Sequence, residues 1–144
     1  MFRNILIICT ANICRSPMAE AILRAKAPQS SISSAGTAAL SGREAASFTS
    51  QVLLEHGYDV SGHRARQATE AILKSADLIL AIDASHVEWI VRNYPHLRGR
   101  VHKLGKWRGN VDVSDPYGGP LEGFAKAYEL IDACVSDWLH HLAR

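Results

Sequence analysis

The chain has 144 residues, 47% hydrophobic and 21% charged, with a net charge of +2 and a pI near 8.5. This is the balance of one folded domain, 1–144, with a core of its own, and it excludes a disordered chain. The basic residues are scattered, which argues against a nucleic-acid partner; the apolar run Ile5–Ile8 is too short for a signal peptide or membrane insertion.

Three cysteines, two of them only five positions apart, do not make a secreted disulfide framework. A reducing, cytoplasmic setting is expected. No cysteine–histidine spacing fits a structural zinc site, and His140 and His141 are adjacent on a predicted helix, where neighbours point different ways. No metal and no cofactor are expected.

Along the chain, short apolar runs alternate with helical patterns, which predicts a parallel α/β fold. Ile5–Ile8 reads as a central strand covered on both faces. Ser16-Pro17 predicts a helix start, with Ser16 as N-cap and Pro17 in the first position. Ser31 to Ala35 is the second strand, closed by Gly36. Ser41-Gly42-Arg43-Glu44 fits a capping box and predicts a helix to about Glu55. Tyr58 to Gln67 is a polar loop, and Thr69 to Ser75 a short helix. Asp77 to Ile82 is the next buried strand. Ser85-His86-Val87-Glu88 suggests another cap, for a helix that ends near Asn93, before Tyr94-Pro95. Arg100 to Leu104 is the fourth strand and Lys106 to Gly119 a long loop. The last helix runs from Pro120 to about Leu142, with one apolar stripe through Phe124, Tyr128, Ile131, Val135 and Trp138. Trp89, Trp107 and Trp138 read as core.

Helical crossovers between four strands imply a three-layer sheet with helices on both faces. Ligands in such sheets bind beyond the carboxyl ends of the strands. Cys9 lies at that end of the first strand, and Asp115 lies in the loop after the last one.

The segment Cys9-Thr10-Ala11-Asn12-Ile13-Cys14-Arg15-Ser16-Pro17 links a buried strand to a helix. A loop of this length curls around one point, so its successive N–H groups form an anion-binding nest. The helix N-terminus adds its dipole and free donors. Arg15 adds a planar fork suited to two phosphate oxygens. The same positive field favours the thiolate form of Cys9, and the Ser16 hydroxyl is placed to donate to its sulfur. One loop thereby binds a dianion and holds a nucleophile beneath it.

This loop resembles the phosphate-binding loop of the low-molecular-weight protein tyrosine phosphatases of bacterial type. So do Ser34-Ala35-Gly36-Thr37, Gly62-His63-Arg64-Ala65-Arg66-Gln67, Ala76-Asp77-Leu78-Ile79-Leu80-Ala81 and Asp115-Pro116-Tyr117, in order along the chain. The resemblance implies a flavodoxin-like strand order, 2-1-3-4. It also implies a metal-independent phosphomonoesterase with a phosphocysteine intermediate. Cys9 is then the nucleophile, Arg15 holds the transferring group and Asp115 is the general acid. Thr10, Ala11, Asn12, Ile13, Cys14 and Ser16 form the phosphate loop, Tyr117 lines the pocket beside a substrate ring, and Leu40 sits on its rim. Ala11 departs from the family, which has Gly there; a left-handed angle at Ala would cost about 1–2 kcal/mol.

A phenolate, with a pKa near ~10, leaves poorly without a proton, and Asp115 is the expected donor, ahead of Asp112. Cys14 is read either as loop packing or as a thiol that traps oxidised Cys9. Ile13 is expected to favour a flat aromatic ring beside the phosphate. Related phosphoarginine phosphatases resemble this loop but carry Thr there. Arsenate reductase chemistry needs further cysteines, a binding module needs a missing catalytic group, and a Cys9/Cys14 redox pair leaves Arg15 unexplained. The resemblance implies a phosphotyrosine protein as substrate, with a bacterial tyrosine autokinase of polysaccharide export as the candidate, and a monomeric enzyme.

Overall fold

A computed structural model describes residues 2–142. Four parallel strands lie in the order β2-β1-β3-β4: β1 is Asn4–Cys9, β2 Ser31–Gly36, β3 Leu78–Ala81 and β4 Val101–Lys103. The register pairs Ile5 with Ile32 on one side and with Leu78 on the other. β1 and β3 are buried on both faces, which is why their sequences are continuous apolar runs rather than alternations.

Five helices cover the sheet: α1 Arg15–Lys26, α2 Ser47–Glu55, α3 Glu70–Lys74, α4 Ala84–Asn93 and α5 Leu121–Leu142. Ile5, Ile7 and Leu80 pack on one side with Met18 and Ile22 of α1, Val52 and Leu53 of α2, and Phe124, Ile131 and Val135 of α5. Leu6, Ile8 and Ile79 face the other side, against Leu73 of α3, Ile90 of α4 and Leu97. The period-2 alternation of β1 thus divides its side chains between two cores. Leu97 belongs to a 3₁₀ turn, Pro95–Arg100, that the sequence reading leaves out.

Three predicted caps are displaced. α1 begins at Arg15 with Cys14 as N-cap, so Ser16 and Pro17 lie inside the first turn; the Ser16 hydroxyl is engaged by Cys9 and Asn12 instead. α2 begins at Ser47, not Ser41, because residues 40–46 serve the nucleophile loop: the Leu40 and Ala46 amides donate to Ala11 O and Ile13 O. Gly42 turns there at φ +85°, donates to Ala65 O, and interrupts any helix. α4 is capped by Asp83, not Ser85. Its carboxylate accepts from the Ser85 amide, and the His86 ring accepts from the Asp83 amide. Of the three tryptophans only Trp138 is buried; Trp107 is 43% exposed and stacks on His141.

Candidate active site

β1 ends at Cys9, α1 starts at Arg15, and the residues between them form a tight loop. Its carbonyls point outward, one after another. Cys9 O accepts from Thr37 N, Thr10 O from Ala38 N, Ala11 O from Leu40 N and Ile13 O from Ala46 N, at 2.8–3.1 Å. Asn12 O accepts from His63 Nε2 at 2.6 Å and Cys14 O from Thr49 Oγ1 at 3.2 Å. In a trans peptide the N–H opposes the C=O, so outward carbonyls turn the amides toward the loop centre. β2 runs close enough to make these bonds only because Gly36 has no side chain. A Cβ there would lie 2.3 Å from Thr10 O.

Asn12 carries the turn. It is fully buried at φ +62°, a left-handed angle that Asn tolerates. Its Nδ2 donates to Ser16 Oγ at 2.8 Å and Ser34 Oγ at 2.9 Å, and its Oδ1 accepts from Arg66 N at 2.9 Å. The Ser34 hydroxyl in turn donates to the Glu20 carboxylate. Ala11 is not among the described residues with positive φ, so the Ala-for-Gly departure carries no left-handed strain.

Cys9 Sγ lies 2.8 Å from Ser16 Oγ. Arg15 is 3% exposed. Its Nη1 donates to Asp83 Oδ2 at 2.8 Å and Val113 O at 2.7 Å, and its Nη2 stands 3.8 Å from Asp115 Oδ2. Asp115 is half exposed and accepts from the Tyr117 amide at 3.1 Å. Burial works against the charge on Asp83. Hydrogen bonds from Ser85 and Arg15, with the nearby His86, outweigh it and hold the carboxyl below the usual range.

These groups share a cavity of about 280 Å³ lined by Cys9, Thr10, Ala11, Cys14, Arg15, Ala38, Leu40, Asp115 and Tyr117. Asn12 and Ser16 lie behind the loop, both fully buried, and support it rather than line it. Ile13 is 5% exposed and packs in the α1–α2–α5 core cluster to which Cys9 and Cys14 also belong. Cys14 lines the same wall as Cys9, and burial, with Asp115 and Cys9 beside it, pushes its thiol up to about 12. Asp112 is committed elsewhere, to Lys103 Nζ and the Ala84 amide.

Asp83, His86, Gly36 and Ser34 were not read from the sequence as site residues. Asp83 had a usable signal, an acid just beyond the carboxyl end of a buried strand, on the same rim as Cys9. Among the described residues no cluster of three or more His, Cys, Asp or Glu is placed to hold a metal ion. None of their helices is long and apolar enough to cross a membrane.

The family model for low molecular weight phosphotyrosine protein phosphatase matches residues 4–144. The low molecular weight protein-tyrosine-phosphatase Wzb of Escherichia coli K12 is 37% identical over 142 residues, 99% of this chain and 97% of that one. The structure of Vibrio vulnificus Wzb in complex with benzylphosphonate superposes with a TM-score of 0.95 at 36% identity, covering 98% of this chain and 99% of the other. The YwlE arginine phosphatase of Geobacillus stearothermophilus shares the fold, with a TM-score of 0.93 and 33% identity, over 98% and 93% of the two chains. The chain therefore belongs to the low molecular weight phosphotyrosine protein phosphatase family and is an enzyme of that class.

Proposed function

We propose that this enzyme removes phosphate from phosphotyrosine in proteins through a covalent intermediate on Cys9. The observation that carries the reading is the convergence of Cys9, Arg15 and Asp115 on one small cavity whose wall is a ring of inward-turned amides. The Cys9 thiolate attacks phosphorus. The bond from phosphorus to the tyrosine oxygen breaks, and Asp115 gives that oxygen its proton. Arg15 and the loop amides take up the charge on the equatorial oxygens. Water then attacks the phosphocysteine, Asp115 accepts a proton from it, and the sulfur leaves as thiolate. Tyr117 and Leu40 supply apolar surface at the rim for a phenyl ring. The assay is phosphate release from phosphotyrosine, phosphoserine and phosphoarginine peptides in EDTA. Release from phosphotyrosine alone, abolished in Cys9→Ser and slowed at least 100-fold in Asp115→Asn, is expected. Release from phosphoarginine instead overturns the substrate assignment.

We further infer, from family resemblance, that the substrate is an autophosphorylating bacterial tyrosine kinase controlling capsule or exopolysaccharide export. Unchanged kinase phosphotyrosine in a deletion strain would sink this. A nucleophilic thiol needs a reducing compartment, which supports a cytoplasmic site of action. The resemblance that suggests this substrate also suggests a monomer. Sedimentation at micromolar concentration tests it, and a dimer overturns it.

A further inference from the structure

His86 is the one buried histidine among the described residues, 1% exposed, and the mechanism above does not use it. It sits in the first turn of α4 and reaches across to the nucleophile loop. Its Nε2 lies 2.9 Å from Thr10 Oγ1, and its Nδ1 lies 3.2 Å from the Asp83 amide nitrogen.

These two contacts determine where the protons are. A backbone N–H can only donate, so Nδ1 accepts from Asp83 and carries no proton. The competing arrangement, an Nδ1 proton directed at Asp83 Oδ1 3.3 Å away, would leave the Asp83 amide without this partner. Asp83 Oδ1 also already accepts from the Ser85 amide and hydroxyl. Burial drives the His86 pKa down to about 4, against the pull of Asp83 and with the help of Arg15, so the ring is neutral near pH 7. A neutral ring without a proton on Nδ1 has it on Nε2. Nε2 therefore donates to Thr10 Oγ1. The hydroxyl oxygen has accepted a bond, and its own proton is left to donate elsewhere. Thr10 lines the cavity beside Cys9 and Arg15.

We propose that His86 is a positioning residue that makes the Thr10 hydroxyl a hydrogen-bond donor to the phosphoryl oxygens bound in the Cys9 loop. Amides and one arginine are thereby joined by a side-chain donor, set from the far side by the same turn of α4 whose Asp83 holds Arg15. The inference rests on the reading of this loop as the phosphoryl site.

Two measurements test it. A long-range proton–nitrogen spectrum of the wild type should show His86 with Nε2 protonated and Nδ1 bare; an Nδ1 proton overturns the proposal. Competitive inhibition by inorganic phosphate then follows the donor. Thr10→Val should raise the inhibition constant about 5- to 20-fold, and Thr10→Ser should hold it within about twofold of wild type. His86→Ala should raise it to the Thr10→Val level, and the double variant no further, since both remove one interaction. Additive losses, or a Thr10→Val enzyme that melts normally and binds phosphate as wild type does, overturn the role of His86. A wild type that does not bind phosphate overturns the site assignment itself. If His86→Ala fails to fold, the Thr10 pair and the spectrum still decide the matter.

Discussion

The Asn12 side chain donates to the Ser16 hydroxyl oxygen across 2.8 Å and leaves the Ser16 proton free for the next bond. Cys9 Sγ lies 2.8 Å from the same oxygen, and when the sulfur is a thiolate it can only accept that proton's hydrogen bond. A hydroxyl that donates to sulfur favours the thiolate over the thiol. The loop and its nucleophile are thus tuned by the same asparagine that makes the turn.

Ser16→Ala removes that donor and also leaves one N–H of the buried Asn12 amide without its acceptor. A hydrogen bond to a charged group contributes about 1.5–3 kcal/mol. Alkylation of Cys9 by iodoacetamide at pH 7 and turnover should both fall about 10-fold or more, and the unpaired Asn12 donor should cost about 1–3 kcal/mol of stability.

Gly36→Ala places a methyl against the Thr10 carbonyl, a contact of 2.3 Å with backbone that has nowhere to go. β1 and β2 are paired through Cys9 and Gly36, so the strain falls on the loop itself. A loss of about 1–3 kcal/mol in urea unfolding is expected, and a larger fractional loss of phosphate binding.

Asp83→Asn keeps the shape but removes the charge opposite a guanidinium that is 3% exposed. Leaving a buried cation less well paired costs about 1–3 kcal/mol. Arg15 keeps Val113 O as a partner and should swing toward the remaining acceptor on the rim, Asp115. The expected kinetic outcome is a larger fall in kcat/KM than in stability.

His86 has a folded pKa of about 4 against 6.5 for a free histidine. The depressed value means that its contribution is complete above pH 6.5. As pH falls from 6.5 toward 4 the unfolded chain takes up the proton first, and stability declines, by a total on the order of 2–3 kcal/mol. Unfolding free energy measured across that interval should slope downward in the wild type and much less in His86→Asn.

Cys14, held up at about 12, is a poor thiolate at neutral pH. Part of that rise comes from the charge on Cys9, which disappears once Cys9 is oxidised to a sulfenic acid. Cys14 can then displace water from the sulfenic sulfur to give a disulfide, slowly at pH 7 and faster as pH rises. After peroxide and then thiol reductant, the wild type should regain activity that Cys14→Ser does not. Equal recovery in the two proteins would show that Cys14 only packs the loop.

The strands and the nucleophile loop were legible in the sequence because each depends on local pattern: a doubly buried run such as Ile5–Ile8, then a cysteine, then a helix; the strand order came from the family resemblance instead. Helix starts were less so. Ser41-Gly42-Arg43-Glu44 has the letters of a capping box, but Gly42 and Arg43 are bonded to Ala65, and Leu40 just before them to Ala11, partners that no local pattern announces. Ser16 looks like a cap for the same reason, and its hydroxyl is claimed by Cys9. Asp83 and His86 were overlooked because their roles come from the parallel pairing of β1 with β3, which carries the start of α4 to the rim.

The outward carbonyls of the loop have a consequence for when the enzyme comes into being. Their donors come from Thr37, Ala38, Leu40, Ala46, Thr49 and His63, the last of them 51 positions from its acceptor. A nascent chain that has released β1 and α1 from the ribosome holds all of the cysteine–arginine motif and none of the bonds that turn its amides inward. Competence to bind an anion therefore arrives only after the polypeptide as far as His63 has emerged and folded back, and a truncated fragment that keeps the motif should be inert.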